Sequence, residues 1–329
     1  MICIVLLAWT SSACDYTAKK NTDQSEQPSR FSRLKGSFNA DSAYRYIAEQ
    51  VSFGPRVPGS EGHKQCGDYI IRKLNDFYAD SVIVQEATVT TFNGKTLPIR
   101  NILGRYNPDS DHRILLAAHW DTRPWADNEH DLELRNKPIA GANDGASGVG
   151  VLLEIARNLY LEAPDCGVDI LFTDAEDYGN SNGFGNNDDT WCLGTQYWVK
   201  HMPYGASDKP RYGILLDMVG GRNARFHYEM FSRENAPSPT FRVWSEARNL
   251  GYDDRFINEV GGMITDDHVY LTRAGIPTTD IIENKNEQTL SFPPTWHTHQ
   301  DDMKNIDKSS LEAVGRTVLN VVYNEKPKK

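Results

Sequence analysis

Short apolar runs punctuate this chain, and acidic or imidazole residues follow them. Arg113–Ala118 runs into His119-Trp120-Asp121, Val168–Thr173 into Asp174-Ala175-Glu176-Asp177, and Tyr212–Leu216 into Asp217. Runs this short and rich in Ile, Leu and Val predict strands buried on both faces. Arg113–Ala118, Val168–Thr173, Gly213–Met218 and Thr278–Ile282 are read as such strands. Apolar residues at helical spacing predict helices over Ala40–Val51, Ser60–Tyr78, Val149–Tyr160, Gly194–His201, Pro239–Asn249, Asp267–Ala274 and Ser309–Tyr323. Val82–Phe92 and Ile99–Tyr106 read as a hairpin around Asn93-Gly94. The alternation from Arg113 onward predicts an α/β three-layer sandwich, a mixed and mostly parallel sheet with helices on both faces.

In such sheets ligands gather beyond the carboxyl ends of the strands. Three distant pieces of sequence would therefore bring His119, Asp121, Glu176, Asp177 and Asp217 to one rim. Asp144 lies in Gly141-Ala142-Asn143-Asp144-Gly145, small residues that let the backbone close around an ion; alone it could serve as a helix cap. Three carboxylates crowd into Asp174–Asp177 directly after a buried strand, and a cation would relieve their repulsion. His297, between Trp296 and Thr298, completes an Asp, Asp/Glu, His set, the ligand count of a catalytic zinc with one open position. One carboxylate of Glu176-Asp177 can then bind metal while the other moves protons. Trp296 and Phe292 are candidate walls of an apolar pocket. Asp266 and Asp267 open a helix, where acids also favour the dipole, and Asp266 is read as a supporting group.

Charge and cysteines change the picture at the margins. A net charge of −10 over 329 residues argues against nucleic acid as a partner. Ile2–Ala8 is apolar and too short to span a bilayer, and Ser11-Ser12-Ala13-Cys14 follows it. Residues 1–14 are therefore expected to be a signal resembling that of bacterial lipoproteins, with an acyl anchor at Cys14. A polar tether over 15–35 and a single catalytic domain over 36–329 follow, with export to the periplasm and a monomer expected. Cys66, Cys166 and Cys192 show no CxxC spacing; they are buried thiols or hold at most one bridge. Thr122–Pro138 and Gly179–Thr190 are long loops, the kind that flank sites. The second is read as solvated in preference to a calcium loop.

From about Asp41 to Tyr323 the residues resemble the zinc-dependent aminopeptidase superfamily, and within it the glutaminyl-peptide cyclotransferases. His119-x-Asp121, Gly141-Ala142-x-Asp144, Glu176-Asp177, Leu216-Asp217 and His297 carry the broad resemblance. Phe292-Pro293-x-x-Trp296-His297-Thr298 and Asp266-Asp267-His268 carry the narrower one, with Trp120 and Trp191 adding aromatic material. The resemblance implies one zinc on Asp144, Asp177 and His297, Glu176 as acid/base, and Asp217 and Asp266 in its hydrogen-bond network. Asp177, where the animal enzymes carry Glu, looks like the bacterial branch. The implied substrates are peptides or proteins with N-terminal glutamine. Two rival readings remain: a two-zinc aminopeptidase with His119 and Asp217 on a second metal, and a non-catalytic module on the same fold.

Overall fold

The computed structural model describes residues 37–181, 187–205 and 208–325. The signal segment 1–14, the tether 15–35 and part of the Gly179–Thr190 loop lie outside the described residues. Six strands form one sheet in the order β1-β2-β4-β3-β5-β8. They are β1 Ser81–Thr90, β2 Thr96–Tyr106, β3 Arg113–His119, β4 Gly167–Thr173, β5 Gly213–Leu216 and β8 Thr278–Ile281. β1 and β2 are antiparallel neighbours, β2 also pairs antiparallel with β4, and β3, β4, β5 and β8 run parallel. The four parallel strands thus end at one edge.

The apolar residues of β3 explain the layers. Ile114, Leu116 and Ala118 belong to one core, Leu115 and Ala117 to another on the opposite face. A strand alternates its side chains, so full burial requires cover on both sides. The first core is completed from α1 (Ala40–Ser52), α2 (Glu61–Asp76), α3 (Ala146–Leu161), α6 (Pro237–Asn249) and α8 (Lys308–Asn324). The second takes Trp198 from α4 (Leu193–Lys200) and Leu271 from α7 (Asp267–Arg273). This is the expected three-layer α/β sandwich.

Several boundaries differ from the sequence reading. The hairpin register pairs Thr90 with Thr96, so Phe92 is left outside β1 and β2 starts before Pro98. Pro98 falls where β2 has β1 alone as neighbour, the place a sheet tolerates proline. α3 begins at Ala146 because Gly148 lets its first turn approach the Leu216 carbonyl, where a Cβ would sit 2.2 Å away. α5 (Met230–Asn235) and the parallel pair β6 (Phe226–Tyr228) and β7 (Phe256–Val260) were not anticipated. They are too short to show a period. Cys66, Cys166 and Cys192 are buried free thiols.

Candidate active site

Each strand end delivers its side chains as the topology requires. His119 closes β3, Glu176 and Asp177 follow β4, Asp217 follows β5, and Asp144 precedes α3. Asp266 caps α7 by accepting the Asp267 N–H. The segment after β8 supplies Phe292, Trp296 and His297.

One ligand atom each of Asp144, Asp177 and His297 lies within 4.8 Å of the other two. His297 Nε2 stands 3.2 Å from Asp177 Oδ1 and 3.7 Å from Asp144 Oδ2. A second triad shares Asp144: His119 Nε2 is 3.0 Å from Asp144 Oδ1 and 3.1 Å from Asp217 Oδ1. Asp177 Oδ2 is buried with no hydrogen-bond partner among the described residues. Two carboxylates and an imidazole around such an orphan oxygen fit zinc, which takes N and O donors in small coordination sets.

Asp121, named from the sequence, and Asp301, Arg123 and Asp127, which were not, hold this geometry. Asp121 Oδ1 and Oδ2 accept the Glu176 and Asp177 N–H groups at 3.0 and 3.2 Å, which aims both acids. Asp301 does the same for Asn143 and Asp144, at 2.7 and 3.1 Å. Arg123, fully buried, donates to the Asp177 carbonyl and Oδ1 and forks onto Asp127. Asp127 Oδ1 in turn lies 3.0 Å from His297 Nδ1. Gly145 is obligatory here, because a Cβ would stand 2.5 Å from the His119 carbonyl. Ala175, Cys192, Met218 and His297 all hold positive φ, between 46° and 55°. Such left-handed non-glycine residues concentrate where a site imposes them.

A cavity of about 330 Å³ opens over these groups. Asp144, Glu176, Asp177, Asp217, Asp266 and His297 reach it, and Trp191, Phe292 and Trp296 wall it. Trp296 stacks on His297 with centroids 3.8 Å apart, and Phe292 lies 4.4 Å from Trp296. His119 and Asp121 sit in the floor, outside the cavity lining. Trp120 does not join the aromatic walls. Successive residues leaving a strand point to opposite faces, so Trp120 stacks on His63 at 4.3 Å, away from the cavity.

Burial, with Asp266 and Asp177 adding, pushes the Glu176 carboxyl well above the usual range against the pull of His119. Burial likewise raises Asp217 to about 6 despite the His119 hydrogen bond. The Cys192 thiol donates to Glu176 Oε1 at 3.3 Å. A buried carboxyl that favours its proton, beside an acidic triad and aromatic walls, suits proton transfer to a bound peptide.

Residues 101–322 match the profile of peptidase family M28. The chain belongs to peptidase family M28. Among solved structures, a glutaminyl cyclase from Bacteroides thetaiotaomicron, bound to N-acetylhistamine, is 51% identical with a TM-score of 0.85, over 89% of this chain and 100% of that one. A leucine aminopeptidase precursor from the same organism is also 51% identical, with a TM-score of 0.84 and the same coverage. The glutaminyl-peptide cyclotransferase of Bos taurus is 24% identical over 79% of this chain and 76% of its own length.

Proposed function

We propose that this M28 chain cyclises the N-terminal glutamine of peptides to pyroglutamate and releases ammonia. The observation that carries the reading is the convergence of Asp144, Asp177 and His297 under an aromatic-walled cavity that Glu176 faces. Asp144, Asp177 and His297 would hold zinc, which when bound supplies Lewis-acid polarisation of the side-chain amide carbonyl. Trp296, Phe292 and Trp191 orient the glutamine so that its α-amine meets its own δ-carbon. The new C–N bond forms there as the bond to the amide nitrogen breaks. Glu176 takes the proton the amine loses and returns it to the departing nitrogen, which leaves as ammonia. Asp266, with a side-chain oxygen within 4.8 Å of Glu176, disfavours its ionised form, and Asp217 lines the same cavity. The nucleophile belongs to the substrate, so the residues bind, orient and move one proton.

A single zinc per chain is part of the proposal. His119 Nε2 lies 3.0 Å from Asp144 Oδ1 and 3.1 Å from Asp217 Oδ1, the set a second zinc would use in the aminopeptidase reading. Mass analysis of a Gln-initiated peptide after incubation separates the readings: loss of one ammonia is expected, and release of a free first residue would overturn cyclisation. N-acetylhistamine is expected to compete with that peptide, as its imidazole can meet a metal.

Export, acylation of Cys14 and a periplasmic location are proposed on the strength of Ile2–Ala8 and Ser11-Ser12-Ala13-Cys14. A monomer is proposed because one chain supplies every candidate residue.

A further inference from the structure

One fully buried cation is used by nothing in the reaction above. Arg56 sits in the link between α1 and α2, is 0% exposed and does not reach the cavity. Its Nε donates to the Trp120 carbonyl at 3.2 Å, its Nη1 to the Ala140 carbonyl, and its Nη2 to the Gly141 carbonyl at 2.7 Å. The Arg56 carbonyl in turn accepts the Thr122 N–H at 3.3 Å. None of the three side-chain acceptors is a carboxylate. A guanidinium buried without a bonded counter-charge is costly. What its rigid fork does here is span carbonyls of two separate segments at once, which a single ammonium does not.

Both segments carry the site. Trp120 stands between His119 and Asp121, and Asp121 accepts the Glu176 and Asp177 N–H groups. Ala140 and Gly141 lead into Asp144, which belongs to both triads. Asp301 meets this loop on its N–H groups: the side chain takes those of Asn143 and Asp144, and the carbonyl takes that of Ala142 at 3.3 Å. A cation thus holds the loop's carbonyls and an anion its N–H groups, each matched to the dipole it meets. The loop has no slack. Gly141 has φ +60°, and a Cβ there would stand 2.3 Å from the Asp144 carbonyl oxygen and 3.0 Å from Arg56 Nη2. Burial draws the guanidinium below its ordinary range, and Cys66, Asp301, Asp121 and Asp144 oppose that.

We propose that Arg56 is a positioning residue for the zinc site: its fork ties the Trp120 carbonyl to the Ala140 and Gly141 carbonyls, and so fixes Asp144 against the strand end that carries His119 and Asp121. The proposal deepens the cyclase reading and rests on Asp144, Asp177 and His297 as the zinc set there. Arg56 touches neither substrate nor metal. It acts through the backbone on either side of Asp144, and its charge sits among the acids that would otherwise face one another unopposed.

Chelator competition on the purified protein reads its zinc affinity, and the visible spectrum of the cobalt(II)-loaded protein reads the geometry of the set. Arg56→Met keeps an unbranched side chain and removes every donor. Zinc affinity is expected to fall by roughly 10- to 100-fold, the scale for a lost support of a metal ligand, and the cobalt bands to move. Arg56→Lys keeps the charge without the fork and should recover part of the affinity. A folded Arg56→Met that loses thermal stability yet keeps wild-type zinc affinity and cobalt bands overturns the proposal, because Arg56 then serves packing alone. A crystal structure of the zinc-loaded wild type in which Arg56 has left the Ala140 and Gly141 carbonyls overturns it whether or not either variant folds. If zinc affinity falls in the variant while the wild type leaves Gln-initiated peptides intact, the cyclase reading fails and the positioning role stands. If the wild type cyclises them and affinity in the variant is unmoved, the positioning role fails and the cyclase reading stands.

Discussion

Asp127 Oδ1 meets His297 at Nδ1, 3.0 Å away, so the imidazole turns its other nitrogen toward Asp177 and Asp144. Carboxylates in this position fix the tautomer and orientation of a metal-binding histidine. Asp127→Ala is expected to weaken zinc binding by roughly 10- to 100-fold, as such partners generally do. Chelator competition on the purified protein measures it, and unchanged affinity would remove Asp127 from that role.

Glu176→Gln keeps the shape of the side chain and removes its capacity to carry a proton. Turnover of a Gln-initiated peptide is expected to fall by roughly a hundredfold or more, the usual scale for a lost acid/base. Zinc content should remain at the wild-type level, since Glu176 is not in the Asp144, Asp177, His297 set. Full activity in this variant would refute the assignment.

Trp296 packs between Phe292 and His297, with centroids 4.4 and 3.8 Å away. Trp296→Ala is expected to raise KM strongly for Gln-initiated peptides, because one wall of the cavity is lost. Steady-state kinetics over a peptide concentration series decides it, and an unchanged KM would place the substrate elsewhere.

Acid stability should depend on Glu229. Burial works against its charge, but the His268 hydrogen bond and the Ser232 and Phe231 N–H groups lower its carboxyl from 4.5 to about 2. A carboxyl lowered on folding stabilises above its unfolded value and loses that contribution as pH falls toward the folded one. The loss therefore falls between pH 4.5 and about 2. By linkage the contribution at neutral pH is roughly 3 kcal/mol. Glu229→Gln should be less stable at neutral pH and show a flatter acid limb there, read by denaturant melts across that window.

The thiols should be inert in the native state. Burial raises Cys66 to about 12 and lifts Cys192 well above its ordinary value, where the charge of Glu176 adds to it. The thiolate is the reactive form, so Cys66 and Cys192 are expected to resist alkylation at mildly alkaline pH and to react once the chain is denatured. Mass mapping of labelled peptides checks this, and native labelling of Cys192 would contradict its burial.

The chain's own pattern determined the sandwich, the strand ends that carry chemistry, and the acids and aromatic residues named for the cavity, but not Met263, Ile264 and Leu290, which also line it. Those features depend on local apolar runs and on acids placed directly after them, as with Val168–Thr173 and Glu176. Tertiary structure alone decided what holds these residues. Asp121 aims Glu176 from 55 positions away, and Arg123 grips Asp177 from 54. It also turned Trp120 away from the site toward His63. Periodicity reports which face of an element is buried. Which distant donor meets which acceptor depends on how the elements pack, and no local spacing encodes that.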